Sequence, residues 1–124
     1  MLLPDLRIAG SLDDLPWRAT RYEGVEWIDL ANDETSSSMT VLIRMAPGRG
    51  YPRHRHVGAE DVLVLDGGYV DDDGGRYEAG AFVRYEAGSA HAPTALDGNG
   101  RACVLFAVAH GGTEVVGDDP EGTR

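Results

Sequence analysis

Three of the four histidines in this 124-residue chain, His54, His56 and His91, join Glu60 as side chains whose types and spacing suit metal binding. His54 and His56 are two apart in a stretch that reads as extended, and on a strand that spacing puts both imidazoles on one face. Val57-Gly58-Ala59 can turn the chain so that Glu60 opens the next strand, with Val62 and Val64 at the same parity. Gly88-Ser89-Ala90-His91 brings a fourth candidate, because a glycine lets the backbone bend and aim the imidazole inward. Neutral imidazoles with one carboxylate suit a transition-type ion, with Zn, Fe, Mn, Ni and Co all open, better than Ca or Mg.

Blander readings compete with this one. Each histidine taken singly, beside Arg53 and Arg55, would be read as a polar side chain turned to solvent. Ser89 neighbours His91, but no acid is placed to orient a serine-type nucleophile. Cys103 lies in an apolar run typical of an inert core thiol. Asp71-Asp72-Asp73-Gly74-Gly75 reads as a tight turn rather than a calcium loop, since the later ligands of such a loop are missing.

The elements that must position these residues are strands. Seventeen glycines punctuate short alternating or β-branched runs, and no long 3.6-residue stripe is found. Strands are expected at Val25–Leu30, Ser38–Met45, Arg53–His56, Glu60–Asp66, Gly68–Val70, Arg76–Tyr77, Ala81–Tyr85 and Cys103–His110. A single turn of helix is expected over Ser11–Leu15, capped by Ser11 and stopped by Pro16. So many short strands imply an all-β sandwich or barrel. One domain is expected over residues 1–110, with its chemistry at 45–95, followed by a flexible tail over 111–124.

Composition narrows the partners. Twenty-one acidic residues against 11 basic ones, all arginine, leave a net charge of −10, which argues against nucleic acid and against an anionic membrane surface. The lone Cys103 cannot form an intrachain disulfide. Pro4 and Asp5 interrupt the N-terminus where a secretory signal needs an apolar core, and no run approaches the roughly 20 apolar residues of a membrane span. A cytoplasmic protein is the expectation.

The spacing Gly48-x5-His54-x-His56-x3-Glu60-x6-Gly67 resembles the first cupin motif at every fixed position. The second motif is met by Gly80, Gly88 and His91, and departs from the family at Glu86, where proline is usual, and at Ala95, where asparagine is usual. Further likeness lies in Leu15-Pro16-Trp17-Arg18, Met45-Ala46-Pro47-Gly48, Pro52-Arg53-His54-Arg55-His56, Gly88-Ser89-Ala90-His91-Ala92-Pro93 and Cys103-Val104-Leu105-Phe106. These resemble the ChrR-like cupins over roughly residues 12 to 109.

The resemblance implies a jelly-roll barrel, the double-stranded β-helix, and one divalent metal held by His54, His56, Glu60 and His91. Iron and zinc suit best, with manganese and nickel also open. It implies one of three functions. The first is a dioxygenase-like enzyme acting on a diketone or hydroxyketone, in which Glu60 ligates the metal or swings off as the catalytic base. The second is a zinc-binding sensor domain without its own anti-sigma module, and the third a barrel whose metal is structural. The ligand would be a small molecule, and family analogy adds a homodimer with Val25–Leu30 and Trp27 at its interface. Trp17 and Trp27 are expected to pack N-terminal segments onto the barrel or into that interface, rather than to touch a ligand. Met45, Tyr51, Arg84, Tyr85 and Phe106 are candidate substrate contacts by strand position. Arg84 would either pair with a substrate carboxylate or enolate, or point into solvent, and His110 is expected at the rim without touching the metal.

Overall fold

The computed structural model describes residues 1–116. Twelve strands follow one another: β1 (Arg18–Ala19), β2 (Val25–Asp33), β3 (Ser38–Met45), β4 (His54–His56), β5 (Glu60–Asp66), β6 (Gly68–Val70), β7 (Arg76–Glu78), β8 (Phe82–Tyr85), β9 (Ala90–His91), β10 (Thr94–Ala95), β11 (Cys103–Ala109) and β12 (Thr113–Val115). All pairings are antiparallel. A six-stranded sheet has the order β1-β2-β3-β11-β5-β8, and two three-stranded sheets have the orders β10-β6-β7 and β12-β4-β9. This is the all-β jelly-roll architecture that the motifs imply. Among the described residues there is no helix, and therefore none long and apolar enough to cross a membrane.

Period-two alternation builds the interior. Val62 and Val64 of β5 are buried while Leu63 between them is exposed, and β11 buries Leu105 and Ala107 with the same parity. Val41 and Met45 of β3, Tyr69 of β6 and Ala95 of β10 join them in one core, so the large sheet packs against the small ones. Burial of these side chains is the main favourable contribution, on the order of 1.5–3 kcal/mol for each large one. Cys103 is fully buried in this core, and burial pushes its thiol up to about 12, so it is inert.

On the outer face, Arg44 of β3 binds Glu26 of β2 at 2.7 Å and lies 4.7 Å over the ring of Trp17, whose indole N–H donates to the Leu12 carbonyl at 2.9 Å. Trp17 thus fastens the N-terminal segment to the sheet. That segment is a series of turns rather than the expected helical turn over Ser11–Leu15, because its bonds, Asp13 N–H to Gly10 and Leu15 N–H to Leu12, span three residues and do not propagate past Pro16.

Two further differences concern strand content. The two-residue strands β1, β9 and β10 are too short for any alternation to show. Thr113–Val115, within the segment expected as a flexible tail, is a strand paired to His54–His56. Residues 117–124 lie outside the described residues.

Candidate metal centre

β4 sits between β12 and β9, with His54 opposite Val115 on one side and opposite His91 on the other. His54 and His56 face inward and are buried, whereas Arg55 between them is exposed and pairs with Glu114. The turn into β5 passes through Gly58, where a Cβ would meet the backbone of His110 at 2.9 Å, so only glycine lets these chains approach. Glu60 then opens β5 with its side chain inward, opposite Tyr85 of β8. Gly88, at φ +85°, turns residues 86–89 back so that Gly88 N–H donates to the His56 carbonyl at 2.7 Å and His56 N–H to the Ser89 carbonyl at 2.8 Å. That return delivers His91 to β9.

Ligand atoms from His54, His56, Glu60 and His91 all lie within 4.8 Å of one another. The hydrogen-bond partners of the rings assign their tautomers. His54 Nδ1 donates to the Pro52 carbonyl at 3.0 Å. His91 Nδ1 donates to Asp71 Oδ1 at 2.7 Å. Ser89 Oγ gives its own hydrogen to the Glu86 carbonyl at 2.6 Å, so it accepts from His56 Nδ1 at 3.0 Å. Every Nδ1 therefore carries the proton, and every Nε2 presents a lone pair to the interior.

The resulting arrangement fits a cation and little else. His54 Nε2 and His91 Nε2 lie 3.0 Å apart, yet in these tautomers neither has a hydrogen to offer the other. His56 Nε2 is buried without a hydrogen-bond partner although Glu60 Oε1 is 3.1 Å away, close but misaligned. Three lone pairs and a carboxylate converging in a buried site need a positive charge between them. Burial, reinforced by neighbouring His91, lowers the His54 pKa to about 4, and burial also lowers that of His91, so both rings are neutral at pH 7 and ready to ligate.

A narrow cavity of about 50 Å³ opens onto this cluster. Its walls are mostly apolar: Trp27, Val41, Ile43 and Met45 from β2 and β3, Leu105 and Ala107 from β11. Tyr51, Tyr69 and Thr113 add polarity, and His54, Glu60 and His91 form the floor. Tyr51 stands edge-on to His54 at 4.9 Å and stacks with Trp27 at 6.1 Å.

Of the five candidate substrate contacts, the structure brings Met45 and Tyr51 into the cavity wall. Tyr85 is packed behind it, against His91 at 4.1 Å and His56 at 5.1 Å. Arg84 and Phe106 do not face the cavity. Arg84 alternates with Tyr85 and so points outward, half exposed, to Asp61 at 3.4 Å. Phe106 lies between the inward Leu105 and Ala107, on the outer face beside Leu42 and Leu63. His110 is at the rim, 3.0 Å from Asp61 and away from the cluster. Trp27, expected away from any ligand, lines the cavity, because it is aligned with the inward Ile43 of β3.

Two relevant residues were not expected from the sequence. In the sequence Asp71 reads as a turn residue, yet its carboxylate is buried against His91; Tyr69 reads only as part of a strand. Both follow from parity, since Asp71 continues the inward row of Tyr69 two positions on.

A family model described as the ChrR cupin-like domain matches residues 6–112. No curated protein matches the chain by sequence. Among solved structures, the anti-sigma ChrR of Rhodobacter sphaeroides, in complex with SigE, is 30% identical with a TM-score of 0.67, over 79% of this chain and 50% of that one. The chain thus spans about half the length of that relative. An RmlC-like cupin of Ralstonia eutropha aligns at TM-score 0.75 and 22% identity over 90% of this chain and 71% of that one. An acetylacetone dioxygenase of Acinetobacter johnsonii aligns at 0.67 and 17% over 81% and 67%. The last two likenesses are of fold alone.

Proposed function

This chain belongs to the ChrR cupin-like domain family, and from that premise we propose that it is a metal-dependent small-molecule enzyme, dioxygenase-like, acting on an uncharged diketone or hydroxyketone. The observation that carries the reading is the cavity: an apolar passage ends on His54, His91 and Glu60, three of the four members of the metal cluster. A purely structural site has no use for such an approach.

His54, His56 and His91 would hold one divalent ion, iron in this reading, with Glu60 as the fourth ligand. When bound, the ion supplies Lewis acidity and access to oxygen chemistry. Glu60 lines the cavity, so its carboxylate is placed to take a proton from a ligand entering there. The apolar walls exclude water, while Trp27 and Tyr51 give a flat surface for a planar enol or ketone. No arginine or lysine lines the cavity among the described residues, which favours a neutral substrate over a carboxylate.

A second reading, a zinc-holding regulatory domain, is favoured by the 30% identity to ChrR. Oxygen uptake separates the two. The protein is loaded anaerobically with Fe(II) and exposed to oxygen with β-diketones and hydroxyketones, beside a His54→Ala, His56→Ala variant. Uptake matched to substrate loss, and absent from the variant, is expected. One iron per chain with no uptake across the panel overturns the enzyme reading, and stoichiometric zinc that resists chelation then supports the regulatory one.

A further inference from the structure

Ala95 stands where the second motif usually has an asparagine, and it is 2% exposed with no side chain able to reach a ligand. His91 nevertheless has a partner from elsewhere in the chain. Asp71 begins the turn between β6 and β7, where its N–H donates to the Gly75 carbonyl at 2.7 Å and its carbonyl accepts from Gly74 at 2.9 Å. The turn holds its carboxylate inside the molecule.

Both carboxylate oxygens are engaged. Oδ1 accepts the His91 Nδ1–H at 2.7 Å, and Oδ2 accepts the Tyr85 hydroxyl at 2.8 Å. Since Tyr85 spends its hydrogen on the carboxylate, Tyr69 donates to Tyr85 in turn. The Tyr85 ring also packs on His56 and His91, so one side chain braces the carboxylate and two of the four ligands.

A buried carboxylate normally needs a cation. Arg53, close in sequence to the site, is committed to the neighbouring Asp72. His91 links the Asp71 carboxylate to the metal cluster: its Nδ1–H meets the one and its far nitrogen, Nε2, faces the other.

We infer that Asp71 is the positioning residue of the metal centre. It locks His91 in the Nδ1–H tautomer, aims Nε2 at the ion and makes the imidazole a stronger donor, while Tyr85 and Tyr69 hold the carboxylate in place. The inference rests on the metal-binding part of the proposed function and is independent of any reaction with oxygen.

The test uses the full chain with zinc or cobalt alone. Zinc affinity is measured by competition with a chromophoric chelator for the wild type, Asp71→Ala, Asp71→Asn and Tyr85→Phe. Loss of about 10–100-fold is expected for Asp71→Ala, with smaller losses for the other two, and the visible bands of the Co(II) protein should shift in each Asp71 variant. Wild-type affinity together with unshifted Co(II) bands in both Asp71 variants would overturn the inference. Nitrogen NMR of the metal-free wild type requires no variant to fold: His91 should show the Nδ1–H tautomer alone, and the Nε2–H tautomer would overturn it. Inactivity toward every ketone tried would leave both results unchanged.

Discussion

His54 and His91 stand opposite each other across the β4–β9 pairing with their Nε2 atoms 3.0 Å apart, each ring's proton being committed to an acceptor on its other side. The geometry brings two lone pairs together, and it makes the metal-free protein sensitive to acid.

Burial, with the nearby His91, lowers His54 from an ordinary 6.5 to about 4. Between those values the unfolded chain binds the proton that the folded chain refuses, so stability rises with pH across the window. The contribution is complete above pH 6.5 and is lost as pH falls toward 4, amounting to roughly 3 kcal/mol from this residue. His91 acts in the same direction. Urea midpoints of the metal-free protein should therefore fall steadily from pH 7 to pH 4.5, and His54→Asn should flatten the slope. Equal midpoints across that range would contradict the buried neutral assignment.

Metal should offset this weakness. A ligand that binds only the folded state at about 100 times its Kd adds about 2.7 kcal/mol, which in a domain of this size raises Tm by roughly 10 °C. Calorimetry with added zinc should show that rise in the wild type and none in His54→Ala, His56→Ala. Glu60→Gln should show a smaller rise. An equal rise in all three would place the ion elsewhere.

The metal cluster was legible because strand parity and motif spacing are properties of sequence alone: His54, His56 and Glu60 need only alternation and one tight turn to converge. Arg84 and Phe106 show where such reasoning fails. Tyr85 and Arg84 are adjacent on β8 and cannot both face inward, so alternation admits Tyr85 to the interior and turns Arg84 out. Asp71 was obscured by its neighbours, since Asp-Asp-Asp-Gly-Gly is sufficiently explained as a turn. In the fold the first of the three aspartates continues the inward row of Tyr69 into the barrel while Asp72 binds Arg53 outside. Strands β9 and β10 carry too few residues for a periodic signal and form because their neighbours supply the edges.

Arg84 supplies a direct check on the corrected orientation. Its pair with Asp61 is exposed and of the kind that contributes between 0 and about 1 kcal/mol. Arg84→Ala should leave zinc affinity, and any ketone-dependent oxygen uptake, within about twofold of wild type while shifting the urea midpoint only slightly. A loss of tenfold or more in uptake would mean that the guanidinium reaches the ligand after all.

Ala107 offers the complementary experiment from inside. It lies between Val41 and Val62 in register, lines the cavity and does not belong to the metal cluster. Ala107→Leu extends a branched side chain into about 50 Å³ of space, so it fills the passage while leaving the three imidazoles and Glu60 in place. Overpacking of this kind costs about 1–3 kcal/mol, which the bound metal can compensate. The expected outcome is near-normal metal stoichiometry with ketone-dependent oxygen uptake reduced at least about tenfold, a loss of roughly 1.4 kcal/mol or more in transition-state stabilisation. If uptake persists in a variant shown to be folded and metal-loaded, substrate reaches the ion by another route and the apolar cavity is only a packing feature of the core.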